Sequence, residues 1–182
     1  MKIKTKRLII RDLKIKDAKD VSKEANNLKV SRYLLLVPHP YNLKSAKEFI
    51  NYCLKKSKEK DRVSYELGIE FEGNVIGIIG LTKIDRFQGT ANIGYWLGEG
   101  YWRRGIMSEA VVAMINFAFK KLKLRRIDIA AFNENEASNE LIKKIGFVYE
   151  GTRKKRAKAK STGRIHDENM YGLFKKDWLR NR

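Results

Sequence analysis

The chain has 182 residues with 40 Lys and Arg against 21 Asp and Glu, a formal charge of +19, 43% apolar and 10% aromatic residues. That composition excludes a disordered chain, the length fits a single domain over residues 1–182 with a sizeable core, and the lone Cys53 excludes an internal disulfide. No run approaches the ~20 apolar residues that cross a bilayer, and the first residues lack a signal-peptide core, so no membrane contact and a cytoplasmic location are expected.

The charge excess admits two readings: a polyanionic partner such as the ribosome or RNA, or a lysine-rich surface typical of a basic proteome or a thermophile. In chain order, residues 5–13 alternate as a first strand, with Leu8 and Ile10 on one face and Arg7, Ile9 and Arg11 on the other. Asp17 is expected to cap, or to sit in the first turn of, a helix reaching about Asn27, and residues 30–35 to form a second short helix closed by Pro38 and Pro40. His39, between the prolines, reads as a surface residue. A helix from Asn42 puts Ala46, Phe49, Ile50, Cys53 and Leu54 on one face, so Cys53 reads as core, with no partner base near it in sequence. Residues 55–62 follow as a solvated helix end and loop.

Residues 64–71 and 74–84 predict a hairpin around Glu72 and Gly73, in which Gly77 and Gly80 mark a bulge or a close backbone approach. A second hairpin through residues 85–90 leads to a strand over 91–97. The stretch 93–110, IGYWLGEGYWRRGIMSEA, then joins this strand to a helix over 107–122, marked by Met107, Ala110, Val111, Met114, Ile115, Ala118 and Leu122 at helical spacing. The first turn of a helix has unpartnered N–H groups and the positive end of the dipole, so it attracts phosphates. Gly105 lets the backbone come close to such a ligand, and Arg103 and Arg104 add charge-assisted contacts. Taken alone, such a loop fits a solvated turn as well.

A strand over 125–132, a helix over 137–145, strands over 147–157 and 164–174 and a short helix containing Trp178 complete the chain. Strand, helix, strand around residues 107–122 favours parallel pairing of the flanking strands, with a cleft where they diverge.

The run Trp102, Arg103, Arg104, Gly105, Ile106, Met107 resembles motif A of the GNAT superfamily of N-acetyltransferases: Gln or Arg, two residues, Gly, one residue, Gly or Ala. Trp102 and Met107 depart from it as in the RimJ/RimL-like branch, which acetylates protein N-termini, including those of ribosomal proteins. A second match is AFNENEASNELIKKIGF over 131–147, and the likeness continues through Glu150, Gly151, Asp167 and Tyr171. The resemblance implies the GNAT fold: mixed α/β, a central sheet of about seven strands with a V-shaped splay between the fourth and fifth, flanked by helices. It implies acetyl-CoA as co-substrate and no metal. Trp102, Arg103, Arg104, Gly105, Ile106, Met107 and Ser108 would cradle the pyrophosphate, while Tyr95, Trp96 and Leu97 would offer backbone groups to the pantetheine arm and the oxyanion. Asn135 would help hold the arm. Ser138 would hydrogen-bond or protonate the departing thiolate, since Ile142 stands where a tyrosine acts as acid elsewhere in the superfamily.

The general base is open. RimJ/RimL-like sequences often carry Glu before the Ile-Gly-Tyr-Trp run, but Asn92 stands there, leaving Glu66, Asp85 or a bound water. The implied activity is direct acetyl transfer to a primary amine, best a protein N-terminal α-amine, whose pKa of about 7.7 to 8.0 lies well below the roughly 10.4 of lysine. Two alternatives stand beside it. One is acetylation of a small amine such as a polyamine or aminoglycoside, which a +19 chain would repel unless its pocket is locally acidic. The other is a non-catalytic ribosome- or RNA-binding module, supported by Asn92 and the basic run RKKRAKAK over 153–160. A homodimer is compatible with the resemblance.

Overall fold

The computed structural model describes residues 1–180. Eight strands form one sheet: β1 (Lys2–Lys4), β2 (Ile9–Asp12), β3 (Tyr65–Phe71), β4 (Asn74–Asp85), β5 (Thr90–Leu97), β6 (Arg126–Phe132), β7 (Val148–Lys158) and β8 (Ile165–Phe174), in spatial order 1-2-3-4-5-6-8-7. The helices are α1 (Ala18–Ala25), α2 (Leu28–Ser31), α3 (Leu43–Ser57), α4 (Ile106–Lys120), α5 (Glu136–Ile145) and α6 (Lys175–Arg180).

Two expectations need correction. Residues 5–13 are not one strand: the Thr5 N–H donates to the Leu8 carbonyl at 3.0 Å, so β1 folds back on β2 and the sheet gains an eighth strand. The second short helix starts at Leu28 rather than Val30, because the Asn27 side chain accepts from the Lys29 N–H at 2.9 Å and caps it there. Asp17 sits, as expected, at the helix start: it ends a single 3-10 turn over Ile15–Asp17, whose N-cap N–H its side chain caps, and stands at the N-cap of α1. It is buried, and Arg11 grips it at two points, 2.7 and 3.0 Å, while the Lys14 N–H donates at 2.7 Å.

Two apolar layers hold the sheet. On one face α4 packs Ala110, Met114, Ile115 and Ala118 against Ile79, Leu81, Ile93 and Ile127. On the other, α1 and α3 pack Val21, Ala25, Ala46, Ile50 and Cys53 against Val75 and Ile78. The central strand β4 is thus covered on both faces, which explains its nearly continuous apolar run. Truncating a fully buried side chain such as Met114 to Ala would cost about 2 to 5 kcal/mol.

Among the described residues only β5 and β6 pair in parallel, and their ladder stops after three pairs, Thr90 with Arg126 through Asn92 with Asp128. Beyond it β5 stays on β4 as far as Leu97, and β6 stays on β8 as far as Phe132. The sheet therefore opens between the two strands that flank α4, the fourth and fifth strands of the sequence-based reading.

Candidate active site

The opening is the mouth of a cleft of about 990 Å³. Its coenzyme-like end begins at α4. The starts of α3 and α5 are each closed by an asparagine, Asn42 accepting from the Ser45 N–H and Asn135 from the Ser138 N–H. The start of α4 has no side-chain cap, since its N-cap is Gly105 at φ 70°. The N–H groups of its first turn are therefore open to an anion. Arg103, two residues earlier, is also left-handed at φ 58°, a conformation that costs a non-glycine residue about 1 to 2 kcal/mol and is characteristic of ligand clamps.

Of the sequence-named positions, Tyr95, Trp96, Leu97, Trp102, Arg103, Gly105, Ile106, Met107, Ser108, Asn135 and Ser138 line the cleft. Arg104 does not: its guanidinium lies 5.2 Å from the Phe71 ring centre and 5.9 Å from that of Tyr101. The backbone of β5 also sorts itself. Gly98 donates to the Ile76 carbonyl at 2.9 Å, so antiparallel alternation directs the peptide groups of Gly94 and Trp96 toward β4 and those of Tyr95 and Leu97 into the splay. Trp96 thus brings a side chain rather than free backbone. The Leu97 carbonyl already accepts from the Trp102 indole at 2.8 Å, which leaves the Leu97 N–H and the Tyr95 peptide groups facing the opening.

Across the splay, the Ser138 hydroxyl sits 3.0 Å from the Tyr95 hydroxyl. Burial pushes the Tyr95 phenol up to about 12, partly offset by the Ser138 bond, so it stays protonated and can donate. Below Ser138, buried Asn139 donates to the carbonyls of Phe132 at 3.0 Å and Asn135 at 2.8 Å. Its Oδ1 accepts from the Tyr171 hydroxyl at 2.6 Å and from Asn169 at 3.1 Å. This network fixes the start of α5 against β6 and β8. A polar residue on the inner face of an otherwise amphipathic helix was the one sequence signal that could have singled out Asn139.

The opposite face of β5 carries Asn92, Gly94 and Trp96, and the strand register sets Gly80 beside Gly94 and Glu66 beside Gly80. Glu66 is half-buried and lines the cleft, and burial alone pushes its carboxyl up to about 7. The other two candidates on that side differ. Asp85 is exposed in the β4–β5 turn, where it accepts from the Gln88 N–H at 2.8 Å, outside the cleft lining, and Asn92 lines the cleft as an amide. His39 is exposed. Cys53 lies in the core with its thiol pushed up to about 12 by burial, which leaves it inert.

Residues 7–148 match the family model for an acetyltransferase (GNAT) domain. The chain belongs to the GNAT acetyltransferase family. It is similar to the uncharacterised N-acetyltransferase p20 of Bacillus licheniformis, 31% identical over 174 residues that cover 96% of each chain. It is 30% identical over 173 residues to YdaF of Bacillus subtilis, named provisionally as a ribosomal N-acetyltransferase, covering 94% of this chain and 93% of that one. A crystal structure of a GNAT-family acetyltransferase from Bacillus anthracis superposes with a TM-score of 0.81 at 26% identity, covering 97% of this chain and 99% of that one. Family and relatives make this protein an N-acetyltransferase that uses acetyl-CoA.

Sequence reasoning passed over the brace of this GNAT loop. Glu109, in the first turn of α4, accepts from Thr5 Oγ1 at 2.6 Å, the Arg7 N–H at 2.9 Å and Arg7 Nε at 2.7 Å. Burial opposes its ionisation, but these bonds outweigh it and hold the carboxyl below its ordinary value. Arg7 also donates to the Arg104 carbonyl at 3.0 Å, so the β1–β2 turn holds the loop ahead of Gly105. The basic run 153–160 lies outside the cleft lining. Its end braces the wall, with the Lys160 N–H donating to the Leu35 carbonyl at 3.1 Å, and the next residue, Ser161, donating to that of Ser31 at 2.9 Å.

Proposed function

We propose that this GNAT acetyltransferase transfers the acetyl group directly to the α-amine of a protein N-terminus, with a ribosomal protein as the favoured acceptor in the cytoplasm. The observation that carries the reading is the wall opposite the α4 side of the cleft, where Leu34, Leu35, Val37, Phe49 and Trp96 give an apolar lining suited to the side chains next to a chain end. Arg32 also lines this wall, whereas Lys29 is paired with Glu99 at 2.5 Å. The name given to YdaF points the same way.

In this arrangement the α4 start and Arg103 bind the coenzyme phosphates, and the Tyr95 peptide groups meet the pantetheine arm. Asn135 helps to orient the arm by fixing the start of α5. The Leu97 N–H faces the developing oxyanion. Ser138, donated to by Tyr95, hydrogen-bonds the departing sulfur. A thiol has a pKa near 8.5 and Tyr95 one of about 12, so the sulfur is stabilised by a hydrogen bond rather than by taking the tyrosine proton.

The test is coenzyme A release on a panel of acceptors: peptides with a free α-amine, the same peptides N-terminally blocked but carrying lysine, spermidine and an aminoglycoside. Release confined to free α-amines is expected. Release with small amines alone would overturn the reading in favour of small-amine acetylation. Salt-dependent RNA binding with no release from any amine would restore the non-catalytic module.

A further inference from the structure

We infer that Glu66 is the general base that takes the proton from the acceptor amine, an inference that rests on the acetyl-transfer reading above. The geometry is a trough across three strands. Glu66 on β3, Gly80 on β4 and Gly94 on β5 are direct register neighbours, so their side-chain positions share one face of the sheet. A Cβ on Gly80 would fall 2.5 Å from the Glu66 carboxylate, which means that the carboxylate lies over Gly80 along the trough. A Cβ on Gly94 would meet nothing within 4 Å, so the trough opens into the cleft at the edge of the splay. Asn92 and Trp96 flank Gly94 on that same face. Two glycines thus leave the sheet face beyond the Glu66 carboxylate clear across β4 to β5, where Asn92 and Trp96 flank the opening.

The carboxylate is also unspent. Among the described residues it enters no hydrogen bond and no ion pair, unlike Glu70 with Arg11, Glu99 with Lys29 and Glu109 with Arg7. A half-buried carboxylate with no structural partner, facing a reaction cleft, is arranged for proton exchange rather than stability. The titratable groups packed near it do not compete. Cys53 from α3 and Tyr41, which interacts with Cys53, are both pushed up to about 12 and stay neutral. Arg62 is engaged by Asp12 and the Ser64 carbonyl, while Gly80, Gly94, Asn92 and Trp96 on β4 and β5 do not titrate. The remaining half-buried carboxylate of the cleft, Glu168, stands on β8 beyond β6.

Atoms and charge balance through the step. Glu66 takes one proton from the acceptor ammonium, leaving an amine lone pair. The nitrogen attacks the thioester carbonyl carbon, a C–N bond forms, and the carbonyl pair moves to oxygen beside the Leu97 N–H. The pair returns, the C–S bond breaks, and the second nitrogen proton passes to the departing sulfur to give the thiol. Glu66 then releases its proton to solvent through the cleft. An α-amine of pKa about 7.7 to 8.0 is close to such a base, whereas a lysine near 10.4 is not, so the arrangement selects α-amines.

The test is kcat at saturating acceptor peptide across pH for the wild type, Glu66→Gln, Glu168→Gln and a double variant that combines Glu66→Gln with Asn92→Glu, with coenzyme Kd and melting temperature checked for each. In the wild type kcat should rise with pH through about 7, the acid limb set by the Glu66 carboxyl. Glu66→Gln should lose that limb and about 10²-fold in kcat near neutrality, with the gap narrowing toward pH ~9, where the amine is already neutral. Coenzyme Kd should not move. Adding Asn92→Glu to Glu66→Gln should restore part of the rate by returning a carboxylate to the same face. Loss of the limb in Glu168→Gln instead, an equal loss at all pH values, or an unchanged Glu66→Gln profile would overturn the assignment. A wild type that turns over no amine would instead sink the acetyl-transfer reading beneath it.

Discussion

A carboxylate at Gly105 probes the coenzyme end of the cleft directly. Gly105 sits at φ 70°, so any side chain there carries a left-handed backbone cost of about 1 to 2 kcal/mol. The space itself is open, since the nearest atom to an added Cβ is an Arg7 nitrogen at 3.6 Å. Gly105→Ala therefore isolates the backbone cost, seen as a melting temperature lower by a few degrees. Gly105→Glu carries the same cost and adds a negative charge beside the phosphates. Two unit charges about 4 Å apart repel by about 4 kcal/mol at an effective dielectric constant near 20, or about 10³-fold in coenzyme affinity. Isothermal titration with coenzyme A should show that loss for Gly105→Glu, reduced at high salt as screening grows, with Gly105→Ala close to the wild type. If Gly105→Glu keeps native circular dichroism and binds coenzyme A within about threefold of the wild type, the loop before α4 is not the phosphate site.

Removing the Tyr95 hydroxyl with Tyr95→Phe deprives Ser138 of its 3.0 Å partner. Because a hydrogen bond between neutral groups contributes about 0.5 to 1.5 kcal/mol, kcat should fall about two- to tenfold while KM for acetyl-CoA changes little, and an unchanged kcat would show that Ser138 acts without Tyr95. Asp17 governs acid stability: burial opposes its charge, but the Arg11 hydrogen bonds, the Lys14 N–H and the Arg11 charge prevail and hold its carboxyl below the ordinary value. The contribution is complete above about pH 5, where an unfolded Asp is almost fully ionised, and is lost as pH falls through the lower folded value. Asp17→Asn should therefore destabilise the protein by about 3 kcal/mol near pH 7, because it leaves Arg11 buried without its main partner, and should flatten the acid limb of the stability curve. Denaturant melts of wild type and variant that coincide across pH would refute this.

Local features were readable in the sequence wherever a local cause sets them. The hairpin at Glu72 and Gly73 has both residues at positive φ, 50° and 84°, and α4 begins where the apolar spacing and Gly105 say it should. The parallel pairing of β5 with β6 and their divergence followed from element order. What escaped the sequence depends on partners distant along the chain. The turn at Thr5 is held by Glu109, more than 100 residues away, so residues 5–13 read as one strand. Arg104 looked equivalent to Arg103 until Phe71 and Tyr101 drew it aside. Glu66 could be named only as one of three sources of a base, because the trough that frees it is made by glycines on two other strands.

The most direct measurement is tandem mass spectrometry of a peptide that carries both a free N-terminus and an internal lysine, after incubation with the enzyme and acetyl-CoA. The account predicts the acetyl group on the α-nitrogen, with coenzyme A released in equal amount and the lysine unmodified. Acetylation of the lysine with the α-amine left free, or no acetylation of the peptide by a protein that acetylates small amines, would contradict it.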